Sequence, residues 1–338
     1  MQTKLTQESV VYKPFLYPWA DELTRIHDGF FWTETEISLM DDIHHWKDGK
    51  ITPSEKRLIT KILQLFTQSD VAVGSNYHNY LIPKIKNNEV RNMLASFAAR
   101  EIIHQRGYAL LNDSLGLSEE EYSTFLSIPE MYDKMLFMTT SSIESDYGFA
   151  LALAKNIISE GIALFGSFVV LLNFHRSGKM LGMGKVVEWS IRDELIHVDG
   201  VIQLYNAWLK EHPGLDRTKL DQEVRSLFEE GIRLEHRFID LIFAEGSIEG
   251  LTAPELKDYM CFLANERIRR IGQEPLYAID KNPISWVDWI IYGVDHSNFI
   301  ESIVTDYEIG GMKGSWEKVF ADFPGSLKVR SEDSRESV

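Results

Sequence analysis

Apolar positions recur every three to four residues along most of this chain. Following Thr52-Pro53-Ser54-Glu55, the residues Leu58, Ile62, Leu65 and Phe66 fall on one side of a 3.6-residue period, which predicts an amphipathic helix. Thr52 is placed to cap its first turn, Pro53 sits where no backbone donor is needed, and Glu55 occupies the reciprocal acidic position of a capping box. That helix is expected to run to near Pro83. The same period predicts helices over about 88–114, 129–138, 144–176, 181–211, 218–245 and 252–272, divided by Ser177-Gly178, Pro213-Gly214 and the stretch from Gly246 to Gly250. Strand-like alternation is scarce. The expectation is an all-α helical bundle whose main helices, about 25 to 30 residues long, exceed the globular average. Residues 1–25 carry Pro14 and Pro18 among aromatics and read as an extended N-terminal arm, with one helical domain over 26–309. The terminal SLKVRSEDSRESV is polar and lacks aromatics, so 310–338 reads as a flexible tail.

Composition narrows the function. With 338 residues, 44% of them hydrophobic, the chain has enough apolar material for a large core. A net charge of -16 and the lack of Lys/Arg clusters argue against nucleic acid, whose binding depends on cations displacing phosphate counterions. Cys261 is the single cysteine, so neither a disulfide nor a Cys-rich zinc site can form within the chain. No secretory leader and no long charge-free apolar run are evident, and the expected setting is cytoplasmic, away from membranes.

Two Glu-x-x-His spacings carry the chemistry: Glu101/His104 and Glu194/His197. Residues three apart share a helix face, so each pair can grip one ion. A single match of this kind is expected by chance about once in such a chain and means little alone. Here each pair lies in a long apolar helix preceded by another that carries an isolated acid, Asp70 in LFTQSDVAV and Glu160 in NIISEGIALFGSF. The separations, 31 residues from Asp70 to Glu101 and 34 from Glu160 to Glu194, suit one helix, a turn and a return to the same height. Four buried carboxylates repel unless cations compensate them, and two divalent ions with two neutral imidazoles would do so. The bland alternative is that these acids are solvated or paired with Arg100, Arg106 and Arg192. Tyr108, four residues after His104, falls on the ligand face of its helix.

With Tyr108 added, the chain resembles the small subunit of class I ribonucleotide reductase. The segments that carry the resemblance are YKPFLYPWA, FFW at 30–32, FTQSD at 66–70, EIIHQRGY at 101–108, SEGIALFGSF at 159–168, WSIRDELIH at 189–197, NPISW and TDYEIGG. It implies a ferritin-like bundle with extra helices and a metal pair held by Asp70, Glu101, His104, Glu160, Glu194 and His197. The implied pair is two iron ions per chain, with dimanganese or mixed manganese/iron also compatible, and Glu160 and Glu194 are expected to bridge or shift as its oxidation state changes. The resemblance further implies a tyrosyl radical at Tyr108, lined by Phe165 and Phe168 with the Ser190 hydroxyl nearby. It implies a relay through Trp32 and Asp193, with Asp193 accepting from the outer nitrogen of His104, and an exit at Tyr307. The implied partner is a large catalytic subunit that docks on the C-terminal tail, where Trp316, Phe320 and Phe323 are the candidate anchors, and the small subunit is expected to be a homodimer. Rival readings are a dinuclear-iron oxidase or desaturase, which would need a substrate cavity, and a ferritin-type iron store, which would need a cage-forming surface.

Overall fold

The computed structural model describes residues 4–139 and 143–288, which form an all-helical body with no β-strand among them. The first half comprises α1 (Pro18–Gly29), α2 (Met40–Lys47), α3 (Pro53–Asn76), the short α4 (Ile82–Lys84), α5 (Asn88–Leu115) and α6 (Pro129–Met138). The second half comprises α7 (Asp146–Gly161), α8 (Phe165–Arg176), α9 (Leu181–Glu211), α10 (Arg217–Phe243) and α11 (Ala253–Arg270). The most extensive packing joins α3 to α5 and α7 to α9, so two antiparallel helix pairs make the centre of the bundle. Around them, α1 lies on α5, α8 on α9, and α10 on α7 and α11.

Local chemistry explains where these helices begin. The Thr52 hydroxyl accepts from Glu55 N at 3.3 Å while the Glu55 carboxylate accepts from Thr52 N at 2.8 Å, the reciprocal cap expected from the sequence. Thr252 and Glu255 repeat the device at the start of α11. The long α9 is capped from a distance instead: Asp42, on α2, accepts from Gly182 N at 2.7 Å and Met183 N at 2.8 Å. Placing a carboxylate on those otherwise unpaired donors also sets negative charge at the positive end of the helix dipole. At the far end of α5, Gly116 takes the left-handed conformation (φ 73°) that closes the helix.

Three sequence expectations change. Residues 18–25, read as part of an extended arm, already belong to α1, where Pro18 fits the first turn. The expected helix over 144–176 is divided into α7 and α8 at Ile162–Leu164. There Ala163 N bonds back to Ile158 O, five residues earlier, and Ile162 leaves the helical region at φ -136°. Apolar periodicity is blind to this break, because the chain on either side of it, 156–174, is buried on every face. Between α3 and α4 the helix widens into one π turn, Tyr77–Leu81. The segment 146–176 is apolar and long enough to span a membrane by composition, but that apolar window is entirely buried inside the protein. Tyr307, Trp316, Phe320, Phe323 and the proposed tail lie outside the described residues.

Candidate metal centre

α3, α5, α7 and α9 each turn an acidic side chain towards one another. The oxygen or nitrogen atoms of Glu101, Glu160, Glu194 and His197 lie within 4.8 Å of one another, as do those of Asp70, Glu101 and His104. Glu101 belongs to both groups. All six side chains are essentially removed from solvent. His197 Nδ1 lies 2.9 Å from Glu160 Oε2, 3.1 Å from Glu101 Oε1 and 3.3 Å from Glu194 Oε2. His104 Nδ1 is 3.2 Å from Glu194 Oε1 and 3.6 Å from Glu101 Oε2. Both imidazoles therefore present Nδ1 inwards.

The donor set fits a pair of metal ions. Asp70 Oδ2, both oxygens of Glu101, both of Glu194 and His104 Nδ1 are buried without a hydrogen-bond partner. Buried acceptors with no donor cost roughly 1–3 kcal/mol each, so six aimed at one place require a cation or protons to compensate them. Without metal, protons take that part. Burial, then the neighbouring Glu101 charge, raises Asp70 well above the usual carboxylate range, and burial above all lifts Glu160 to about 7. For His104, burial opposes protonation, but the Asp193 hydrogen bond and the adjacent carboxylates outweigh it and raise its pKa. His197 is raised likewise, its burial outweighed by the surrounding glutamates.

Glu160 differs from the other glutamates. Its Oε1 accepts from Tyr77 Oη at 2.5 Å and from Asn156 Nδ2, which leaves Oε2 as the oxygen facing the cluster. The π turn begins at Tyr77, and such widened turns recur at functional sites.

Outside the ring of acids, the two histidines have different supports. His104 Nε2 meets Asp193 Oδ2 at 3.2 Å, and the same oxygen accepts from Trp32 Nε1 at 2.8 Å. The other Asp193 oxygen takes a buried ion pair with Arg100 at 2.7 Å. His197 Nε2 instead lies 3.1 Å from His27 Nε2, and burial pushes the His27 pKa down to about 2, so that ring is neutral. Of the three arginines considered as partners for the acids, Arg100 pairs with Asp193, Arg106 with Glu34, and Arg192 donates to the Phe30 carbonyl.

Tyr108 is 1% exposed, and its hydroxyl donates to Ser190 Oγ at 3.0 Å. Its ring meets Phe66 edge-on at 4.6 Å, and Phe66 meets Phe168 at 5.0 Å, with Phe165 one ring further out. Phe66 is thus the aromatic in contact with Tyr108, ahead of the anticipated Phe168 and Phe165. Its position four residues before Asp70, on the same helix face, was the available signal. Tyr77 and His27 were also missed, since their importance comes from tertiary contact, and so was Asn156, although it stands four residues before Glu160 on the same helix.

The chain matches known proteins over most of its length. A family profile described as "Ribonucleotide reductase, small chain" matches residues 9–283. A probable ribonucleoside-diphosphate reductase small subunit of Invertebrate iridescent virus 3 is 34% identical, covering 93% of this chain and 88% of that protein. The ribonucleoside-diphosphate reductase subunit beta of Chlamydia pneumoniae is 32% identical, covering 88% of this chain and 90% of its own. Among solved structures, the ribonucleotide reductase R2 subunit from Clostridium botulinum superposes with a TM-score of 0.75 at 25% identity, covering 81% of this chain and 88% of that one.

Proposed function

The chain belongs to the ribonucleotide reductase small-chain family, and we propose on that premise that its buried centre holds two metal ions and generates a radical at Tyr108. The observation that carries this reading is the cluster of unpartnered buried acceptors contributed by Asp70, Glu101, His104 and Glu194 and completed by Glu160 and His197. A metal pair at such a centre supplies one-electron oxidising power drawn from molecular oxygen. Oxygen and nitrogen donors of this kind suit iron first, with dimanganese or a mixed pair also accommodated.

The protein's own residues set the terms of that chemistry. Glu101 and Glu194 have both oxygens turned inwards and would hold metal with either, whereas Glu160, with Oε1 held by Tyr77 and Asn156, would offer one oxygen. Any shift of Glu160 between binding modes must break those two hydrogen bonds. The hydrogen bond to Ser190 Oγ fixes the Tyr108 hydroxyl, and Phe66 and Phe168 exclude water around its ring, so the phenol is the group held ready to supply one electron to that oxidising pair. Asp193, bonded to both His104 and Trp32, joins the centre to the indole and is the first step of a route for the hole towards the surface. Tyr307 completes that route at the large catalytic subunit, which docks on the C-terminal tail of a homodimeric small subunit in a cytoplasmic enzyme.

Metal analysis combined with low-temperature electron paramagnetic resonance tests the proposal. Two ions per chain and a tyrosyl signal lost in Tyr108→Phe are expected, with deoxynucleotide formation only when a large subunit is added. A radical unchanged in Tyr108→Phe would assign it elsewhere.

A further inference from the structure

We infer that the orientation of His197 towards the metal centre is fixed by a hydrogen-bonded chain through His27 and Ser96 that ends on the exposed carboxylate of Asp28. The inference rests on the dinuclear reading above.

The polarity of the chain follows from its outer end. The Ser96 hydroxyl lies 2.8 Å from Asp28 Oδ1, and an ionised carboxylate can only accept, so the Ser96 proton points to Asp28. Having spent its one proton, Ser96 Oγ faces His27 Nδ1 at 2.8 Å as an acceptor, and the His27 proton therefore resides on Nδ1. His27 Nε2 is then a bare lone pair. It lies 3.1 Å from His197 Nε2, which must carry the proton that joins them. A metal-bound imidazole is neutral, so with Nε2 carrying the proton the free nitrogen is Nδ1, and it is the one that faces Glu101, Glu160 and Glu194.

Each link is also held mechanically. His27 is fully buried, and the Phe97 ring packs both on its edge at 5.1 Å and on His197 at 4.5 Å. Phe97 reaches that position because Gly200, three residues after His197, has no side chain: a Cβ there would stand 2.7 Å from the Phe97 ring. His27 is thus a positioning residue for a ligand on another helix, and α1, read from the sequence as partly an extended arm, contributes to the centre.

The partner of a ligand histidine typically governs metal affinity by roughly 10–100-fold. The probe is zinc alone, which is diamagnetic and takes the same nitrogen donor. Zinc titration of the full chain, with nitrogen-15 resonance of its histidines, should show two ions in the wild type and His197 bound through Nδ1 with its proton on Nε2. His27→Ala should weaken one of the two ions by roughly 10–100-fold and leave the other unchanged. His27→Gln, whose side-chain carbonyl can accept from His197 Nε2, should recover most of that loss, which a purely space-filling role would not predict. Ser96→Ala and the exposed Asp28→Ala should have smaller effects in the same direction, and both should weaken the Nε2–H signature. A wild type that takes up no zinc overturns the metal reading and this inference with it. A wild type that binds two ions, with affinities and His197 signature unchanged in Ser96→Ala and Asp28→Ala, overturns the inference alone, as does His197 bound through Nε2.

Discussion

The two Glu-x-x-His pairs look alike in the sequence and present the same nitrogen to the centre, yet the protein supports them by opposite electrostatic means. Behind His104 stands a buried ion pair, in which Asp193 is bonded to the imidazole, to Trp32 and to Arg100. Behind His197 stands a neutral imidazole, and the nearest carboxylate on that path is Asp28, at the surface. A charged support costs desolvation and needs its own counter-charge, whereas a neutral one avoids the cost but must be extended to solvent to acquire a direction. Among the described residues it is the charged support that bonds to an indole, so an oxidisable ring is hydrogen-bonded directly to that support. Equal spacing yields equal ligands, and the surroundings divide their labour.

Removing what the two halves share should have the largest effect. Glu101→Ala takes away both inward oxygens of the residue common to the two donor groups, and metal content by elemental analysis should fall from two ions to one or none. The melting temperature of the metal-loaded protein should fall with it, because metal binding energy is folding energy where the site forms only in the native state. Full loading would dissolve the idea of a shared centre.

Next comes the charged half alone. Arg100→Ala strands the Asp193 carboxylate, and breaking a buried pair in this way costs about 3–5 kcal/mol, measurable by urea unfolding at pH 7. Burial opposes ionisation of Asp193, but His104 and Arg100 outweigh it and hold its pKa below the ordinary range. A carboxylate depressed in this way stabilises the fold above its unfolded pKa and loses that contribution as pH falls through the folded one. The Arg100→Ala variant should therefore show a flatter loss of stability below pH 4. His27→Ala should leave that acid limb unchanged, and an altered limb would blur the contrast between the halves.

The metal-free centre should respond to pH in the opposite sense. Glu160, raised to about 7, binds a proton in the folded state that the unfolded chain releases near the ordinary glutamate value of 4.5. His104 and His197, also raised, keep protons that the unfolded chain releases near the ordinary histidine value of 6.5. Both effects favour the folded state at low pH and are lost as pH rises, so the stability of metal-free protein should drop between pH 5 and 8, Glu160 alone contributing roughly 2–3 kcal/mol. Metal-loaded protein should not share that drop, and calorimetry of the two forms side by side decides it.

The finest distinction concerns transfer against storage. Asp193→Asn should retain a radical at Tyr108 while nucleotide turnover falls by roughly 10–100-fold, since the bridge between His104 and Trp32 is altered. Tyr77→Phe frees one of the two bonds on Glu160 Oε1 and should change stability by only about 1 kcal/mol, because Asn156 remains. Equal loss of turnover in both would erase the asymmetry between the halves.

Much of the bundle was legible because helical period and caps are local. α5, α6 and α9 begin and end within a residue of the expected positions, and Thr52 and Glu55 cap as their spacing implied. Asp70, Glu101, His104, Glu160, Glu194 and His197 converge for the same reason: each spacing is a property of one helix or one hairpin. What escaped was non-local. The break at Ile162–Leu164 lies in a stretch apolar on all faces, where periodicity carries no information. Arg100 was weighed as a partner for the ligands and pairs instead with Asp193, and His27 has no companion at ligand spacing.

The π turn at Tyr77–Leu81 adds a point about the tolerance of the hairpin to insertion and deletion. A π turn is an α-turn holding one residue more, so it works as a vernier between two rigid scales. Upstream, Asp70 is held in register by the capped start of α3; downstream, Glu101 is held by the Asn87 cap of α5, whose side chain accepts from Val90 N. Length changes between those anchors are absorbed in the widened turn before either acid has to rotate. Deleting one residue within 77–81 should therefore return the segment to α-helical winding and withdraw the Tyr77 hydroxyl from Glu160, while Asp70 and Glu101 still face each other. The hairpin keeps its chemistry and its length under separate control.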